Sequence, residues 1–232
     1  LDTAAIRLPS NKIALALIRE SGKPIAAPSA NTSGKPSPTE ASHVVEDLMG
    51  KVDMIIDGGS TDIGLESSVV DMTGQVPVIL RPGRITSEDI TDVLGHCEYD
   101  PAIIKSDDKT VPKSPGQKYR HYSPKAKVIL YKGDIDKIAH KINGDYEKFQ
   151  AEGFKVGIMS TMQTQKYYEG KLNILLGDRT KPLTISSKLF KTLRDFDHIG
   201  ADIILAEAVS EDGLGKAIMN RLGKASSETI NV

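Results

Sequence analysis

Val128-Ile129-Leu130-Tyr131-Lys132-Gly133-Asp134-Ile135 decides the architecture. Four consecutive apolar residues bounded by a Gly-Asp turn fit a strand buried on both faces, and the turn runs straight into a helical pattern. The alternation then repeats. Spacing predicts a helix over 135–150, strands over 155–160 and 172–175, a helix over 183–199, a strand over 202–206 and a helix over 214–224. Strands separated by helices of this length pair in parallel, so residues 127–232 read as a small Rossmann-like parallel α/β domain.

Upstream, residues 98–126 break the pattern with four prolines and the dense string Ser114-Pro115-Gly116-Gln117-Lys118-Tyr119-Arg120-His121-Tyr122-Ser123-Pro124, which reads as an interdomain linker. Residues 1–97 carry a second α/β pattern. A strand is expected at 4–8, a helix over 11–19 capped by Ser10 and stopped by Gly22, and a strand at 24–27. A helix over 39–49, apolar runs at 54–56, 68–72 and 78–80, and a helix over 87–94 follow. The chain opens inside a strand pattern at Leu1, which implies an upstream segment completing the first sheet. The fold class is α/β: a partial twisted-sheet domain joined by the linker to the parallel domain.

Composition narrows the function. The 232 residues hold 30 Lys+Arg against 31 Asp+Glu, with 39% hydrophobic residues, enough for a core and unlike a disordered chain. The single Cys97 and five scattered histidines offer neither a disulfide nor a zinc set, which fits a reducing, cytoplasmic setting. No run reaches the length of a membrane helix. The balance hides a split: residues 1–112 hold 10 basic and 17 acidic side chains, and residues 113–232 hold 20 and 14. Either two domains attract each other or a basic half meets a polyanion.

Three loops could carry chemistry. Ser29-Ala30-Asn31-Thr32-Ser33-Gly34-Lys35-Pro36-Ser37 combines hydroxyls, an amide, a cation and a following helix N-terminus, which suits a nucleotide phosphate or is an ordinary polar loop. In Glu66-Ser67-Ser68-Val69-Val70-Asp71 two vicinal hydroxyls stand at the mouth of a strand, where a ligand is a reasonable partner. Glu66 and Asp71 could equally be turn and strand-end residues. Arg81-Pro82-Gly83-Arg84 ends a strand in an arginine that could meet a carboxylate or phosphate, or form a surface ion pair; Arg7 before Pro9 has the same form. Gly213-Leu214-Gly215 imitates a dinucleotide fingerprint, but Ile218 stands where its third glycine belongs. Cys97 follows an ordinary helix stop, His43, His140 and His198 lie on helical stretches, and no hydrolytic triad has local support.

Taken in order, Thr3-x-x-x-Arg7-x-Pro9, Pro28-Ser29-Ala30-Asn31-x-Ser33-Gly34, Asp57-Gly58-Gly59, Glu66-Ser67-Ser68-Val69-Val70-Asp71 and Arg81-Pro82-Gly83 resemble the YrdC-type threonylcarbamoyl-AMP synthases. The linker string and the tail Gly213-Leu214-Gly215-x-Ala217-Ile218-x-Asn220-Arg221 resemble their long, two-domain form. The resemblance implies synthesis of threonylcarbamoyl-AMP and pyrophosphate from L-threonine, bicarbonate or CO2, and ATP with Mg2+. The product would pass to partner proteins that modify tRNA, with direct tRNA contact left open. It also implies a threonine site at Thr3, Arg7 and Ser67, and an ATP site at Ala27, Ser29, Asn31, Ser37 and Arg81, with Tyr119 reaching back from the linker as part of a lid. No catalytic nucleophile and no protein metal ligand are implied. Two departures stand out: the family's Glu-Ser-Thr is Glu66-Ser67-Ser68 here, and its N-terminal Lys-x-Arg signature lies outside this sequence, so turnover is expected to require an upstream segment. The other class compatible with the residues is an RNA-binding or nucleotide-sensing module without catalysis.

Overall fold

The computed structural model describes residues 3–104 and 123–232. The C-terminal half forms a five-stranded, all-parallel sheet from β4 (Lys127–Lys132), β5 (Val156–Thr161), β6 (Asn173–Gly177), β7 (Ile203–Glu207) and β8 (Glu228–Asn231), in the order β6-β5-β7-β4-β8. Helix α5 (Ile135–Ala151) covers one face; α6 (Pro182–Ser186), α7 (Leu189–Ile199) and α8 (Leu214–Ala225) cover the other.

Both faces are covered because consecutive strand residues point to opposite sides. Ile129, Tyr131 and Ile158 pack with Ile138 and Ile142 of α5, whereas Val128, Leu130 and Met159 pack with Leu193, Phe196 and Leu222. Every residue of β5 and β7 is buried. At Gly157 α7 lies close against the sheet: a Cβ there would lie 2.2 Å from the Phe196 ring. Two details differ from expectation. The predicted helix over 183–199 is two helices, α6 and α7, and the edge strand β8 is mostly exposed, which erases the apolar run that marks a buried strand.

In the N-terminal half, α1 (Lys12–Ser21) is capped by Asn11 rather than Ser10, its Oδ1 accepting from the amides of Ile13 and Ala14 at 3.0 Å. Gly22 ends it in the left-handed region at φ 60°. Then come α2 (Ala41–Leu48), β1 (Val69–Asp71), β2 (Val78–Arg81), α3 (Ser87–Leu94), β3 (Glu98–Tyr99) and the short α4 (Pro101–Ile104). β1 pairs antiparallel with β2, and β3 adds in parallel, so the small sheet extends into the stretch read as linker. Residues 4–8 and 24–27, expected as strands, and the apolar run at 54–56 form no ladder: Ile6 is 94% exposed and Leu8 89%. An extended segment becomes a strand only when a neighbour takes up its amides and carbonyls.

Candidate active site

The two halves meet through charge. Arg194 of α7 is buried; its Nε and Nη2 donate to the Pro36 carbonyl at 3.1 and 2.7 Å, and Nη2 also reaches Asp47 Oδ2 at 2.8 Å. Lys35 donates to Asp47 Oδ1 at 2.7 Å and the Thr32 amide donates to Oδ2 at 3.1 Å. Burial would push the Asp47 carboxyl up, but the Arg194 and Lys35 bonds and charge outweigh it and hold the group well below the usual carboxylate range. His43 is buried with Nδ1 accepting from the Thr39 amide at 3.2 Å; burial, then the Arg194 charge, lowers its pKa. Lys191 pairs with Glu40 and His198 with Glu46 along the same seam. The opposite charges of the two halves are thus matched across an internal interface.

One corner of that interface gathers predicted site residues. Arg81 is 8% exposed, which removes the surface ion-pair reading, and its Nε donates to the Ser67 carbonyl at 3.0 Å. Ser37 donates its hydroxyl to Glu66 Oε1 at 2.6 Å, and Glu66 Oε2 accepts from Arg221 Nε of α8 at 2.8 Å. Burial raises the Glu66 pKa, but the Arg221 charge and the Ser37 and Arg221 hydrogen bonds outweigh it, so the group stays ionised. Ser37 has one proton and gives it to Glu66; while that bond stands, its oxygen can serve a ligand only as an acceptor. Gly83 is obligatory here: a Cβ would lie 2.3 Å from the Ser68 amide nitrogen.

Asn31 lies at the edge of this region. Its Nδ2 donates to the Thr32 and Lys35 carbonyls at 2.9 and 3.2 Å, whereas its buried Oδ1 has no partner among the described residues. An orphaned acceptor of this kind suits a donor brought by a ligand, such as a ribose hydroxyl or an adenine amino group. Lys224, one turn beyond Arg221, has its pKa lowered to about 8 by burial and by the Arg221 and Arg81 charges.

Several site expectations look different in three dimensions. Lys35, read as a cation for phosphate, is engaged by Glu46 and Asp47. The Ser68 hydroxyl donates to the Ile85 carbonyl at 2.6 Å, and Asp71 accepts from the amide and hydroxyl of Thr73 as a turn residue. Ser67 is exposed, as are Thr3, Arg7, Ala27 and Ser29, and these last four form no hydrogen bond or ion pair among the described residues. Tyr119 and the rest of the linker string through residue 122 lie outside the described residues. Sequence reading missed the roles of Arg194 and Arg221; only the tail motif ending in Arg221 carried a signal. Among the described residues no cluster of His, Cys, Asp and Glu could hold a metal, and no helix is long and apolar enough to cross a membrane.

Two family models match the chain, and they meet near residue 84. Residues 85–227 match "Threonylcarbamoyl-AMP synthase, C-terminal domain", and residues 1–83 match the Sua5/YciO/YrdC model described as "Telomere recombination". Threonylcarbamoyl-AMP synthase from Pyrococcus abyssi is 50% identical over 99% of this chain and 66% of its own length. The Bacillus subtilis enzyme is 46% identical over 97% of this chain and 64% of its own length. The crystal structure of P. abyssi Sua5 complexed with L-threonine superposes with a TM-score of 0.91 over all of this chain and 66% of that one. With Arg221 of α8 joined to Glu66 and the Pro82 carbonyl and both family models matching in sequence, this chain, which spans about two thirds of those relatives, belongs to the Sua5/YrdC threonylcarbamoyl-AMP synthase family.

Proposed function

We propose that the chain carries the larger part of a threonylcarbamoyl-AMP synthase, which joins L-threonine, bicarbonate or CO2, and ATP and releases pyrophosphate. The observation that carries this reading is the bond from Arg81 Nε to the Ser67 carbonyl, which sets a free-facing serine and a buried guanidinium on adjoining loops. The P. abyssi relative, solved complexed with L-threonine, supports threonine as the amino acid. Thr3, Arg7 and Ser67 hold threonine, with the Arg7 guanidinium on the carboxylate. Ala27, Ser29, Asn31, Ser37 and Arg81 line the ATP site, and Tyr119 covers the nucleotide.

The reaction asks little acid–base chemistry of the protein. Once the neutral amine of threonine has added CO2 and lost a proton, the carbamate oxygen attacks the α-phosphorus; the bond to the β-phosphate oxygen breaks and pyrophosphate leaves with the electron pair. Alignment and charge neutralisation supply the catalysis. Mg2+ would arrive on the ATP phosphates and offset part of their charge. The product would be used by tRNA-modifying proteins in the cytoplasm, a compartment compatible with the free thiol of Cys97.

The test is pyrophosphate release measured with threonine and ATP, each also omitted in turn. The protein should release pyrophosphate only when both are present, and an RNA-binding or nucleotide-sensing module would release none.

A further inference from the structure

Parallel α/β domains bind ligands at the carboxyl ends of their strands, where neighbouring connections leave on opposite faces. In the C-terminal sheet one such position lies between β5 and β7, and the protein's own side chains occupy it. Glu207, 1% exposed at the end of β7, accepts from Thr161 Oγ1 at 2.9 Å, Tyr168 OH at 2.7 Å and Arg179 Nη2 at 3.0 Å. The domain's polar reach points elsewhere, through α8.

Arg221 is 1% exposed and spreads its donors over two separate loops of the other half. Nε meets Glu66 Oε2 at 2.8 Å, Nη2 meets the Glu66 carbonyl at 3.4 Å, and Nη1 meets the Pro82 carbonyl at 2.8 Å. One residue beyond Glu66 is Ser67, and one residue before Pro82 is Arg81. The loop is held at a second point as well: a Cβ on Gly64 would lie 2.4 Å from the Ser186 carbonyl oxygen of α6. A planar guanidinium with donors in a fixed fork sets the separation of its acceptors, which a single ammonium cannot do.

We infer that Arg221 is a positioning residue for the synthase site: by clamping Glu66 and the Pro82 carbonyl, it fixes the spacing of Ser67 and Arg81 without touching either substrate. The inference rests on the proposed synthase reading. It assigns the C-terminal domain a part in binding threonine, exerted through α8.

The experiment is isothermal titration of L-threonine into the protein, comparing wild type, Arg221→Gln, Arg221→Lys and the interface control Lys191→Met, with threonine KM and kcat measured on the same samples. Arg221→Gln is expected to weaken threonine binding about 10- to 100-fold at unchanged stoichiometry, and to raise KM. Arg221→Lys, which can keep the Glu66 contact but not both loops, should fall between it and wild type. Lys191→Met loses an interdomain ion pair away from these loops and should stay within about twofold of wild type. A purely structural role would instead lower stoichiometry and kcat with Kd and KM unchanged, and that result, or wild-type affinity in either folded Arg221 variant, overturns the inference. If Arg221→Gln does not fold, Arg221→Lys decides alone. Failure of wild type to bind threonine would sink the synthase reading and this inference together, which separates the two kinds of failure.

Discussion

Helices α1 and α7 are both amphipathic, and their fates differ. α7 buries Leu189, Phe190, Thr192, Leu193, Arg194 and Phe196, while α1 buries nothing and leaves Ile13 43% and Leu17 48% exposed. The contrast extends to the halves they belong to. The C-terminal sheet is covered on both faces, whereas Ile79, Leu80 and Ile90 are the only buried aliphatic side chains among the described residues before residue 105, prolines aside. An apolar stripe announces that a helix needs a partner but does not provide one. In this protein the N-terminal half is held to its neighbour largely by buried ion pairs and carbonyl contacts, whose geometry is directional where hydrophobic contact is not.

Core truncation should expose the difference most strongly. Phe196→Ala is expected to cost about 3–5 kcal/mol in chemical denaturation, because it removes the ring packed over Gly157, whereas Leu17→Ala should cost under about 0.5 kcal/mol. Similar costs at both sites would erase the distinction between the halves.

Breaking the seam comes next. Arg194→Ala leaves Asp47 buried with only Lys35 and the Thr32 amide, and should destabilise the docked state by about 2–4 kcal/mol. Hydrogen exchange at the Thr32 amide should accelerate while exchange in β5 stays slow. Acceleration in both regions alike would mean that the halves unfold as one unit.

At the exposed side of the site, Arg7→Ala should weaken threonine binding by about 1.5–3 kcal/mol, roughly 10- to 150-fold, with ATP affinity little changed. Unchanged threonine affinity would remove Arg7 from the site.

The smallest effect concerns pH. Lys224 has its pKa lowered to about 8 in the folded state from an ordinary value of 10.5, so between those values the unfolded chain binds more protons. Its contribution to stability must therefore rise with pH across that window. Wild type minus Lys224→Met, compared by denaturation from pH 7 to 11, should show that rise; a flat or falling difference would mean the ammonium is not burdened by Arg81 and Arg221.

Much of the fold was legible because its signals are local. Helix α3 runs over Ser87–Leu94 as its pattern predicts, closed by a capping box between Thr86 and Asp89, and the strand–helix alternation from Val128 onward is present as a parallel sheet. The candidate site was legible as a set of loops but not as an arrangement. Glu66 could be read as a turn residue or a ligand contact, and it is the acid that receives Arg221 from 155 residues away. Lys35 advertised a phosphate cation until Asp47 was seen beside it.

The sequence by itself determined the glycine helix stops, the parallel C-terminal domain, the motifs of the family and the charge split between the halves. Each depends on neighbours within a few residues or on composition summed along the chain. Only the tertiary structure decided where the charges go: that Arg194 and Arg221 would be buried, that they would reach backbone carbonyls at Pro36 and Pro82, and that Glu66 would stay ionised in the interior. A buried guanidinium is stable only when fixed acceptors surround it, and those acceptors come from loops that folding alone brings together.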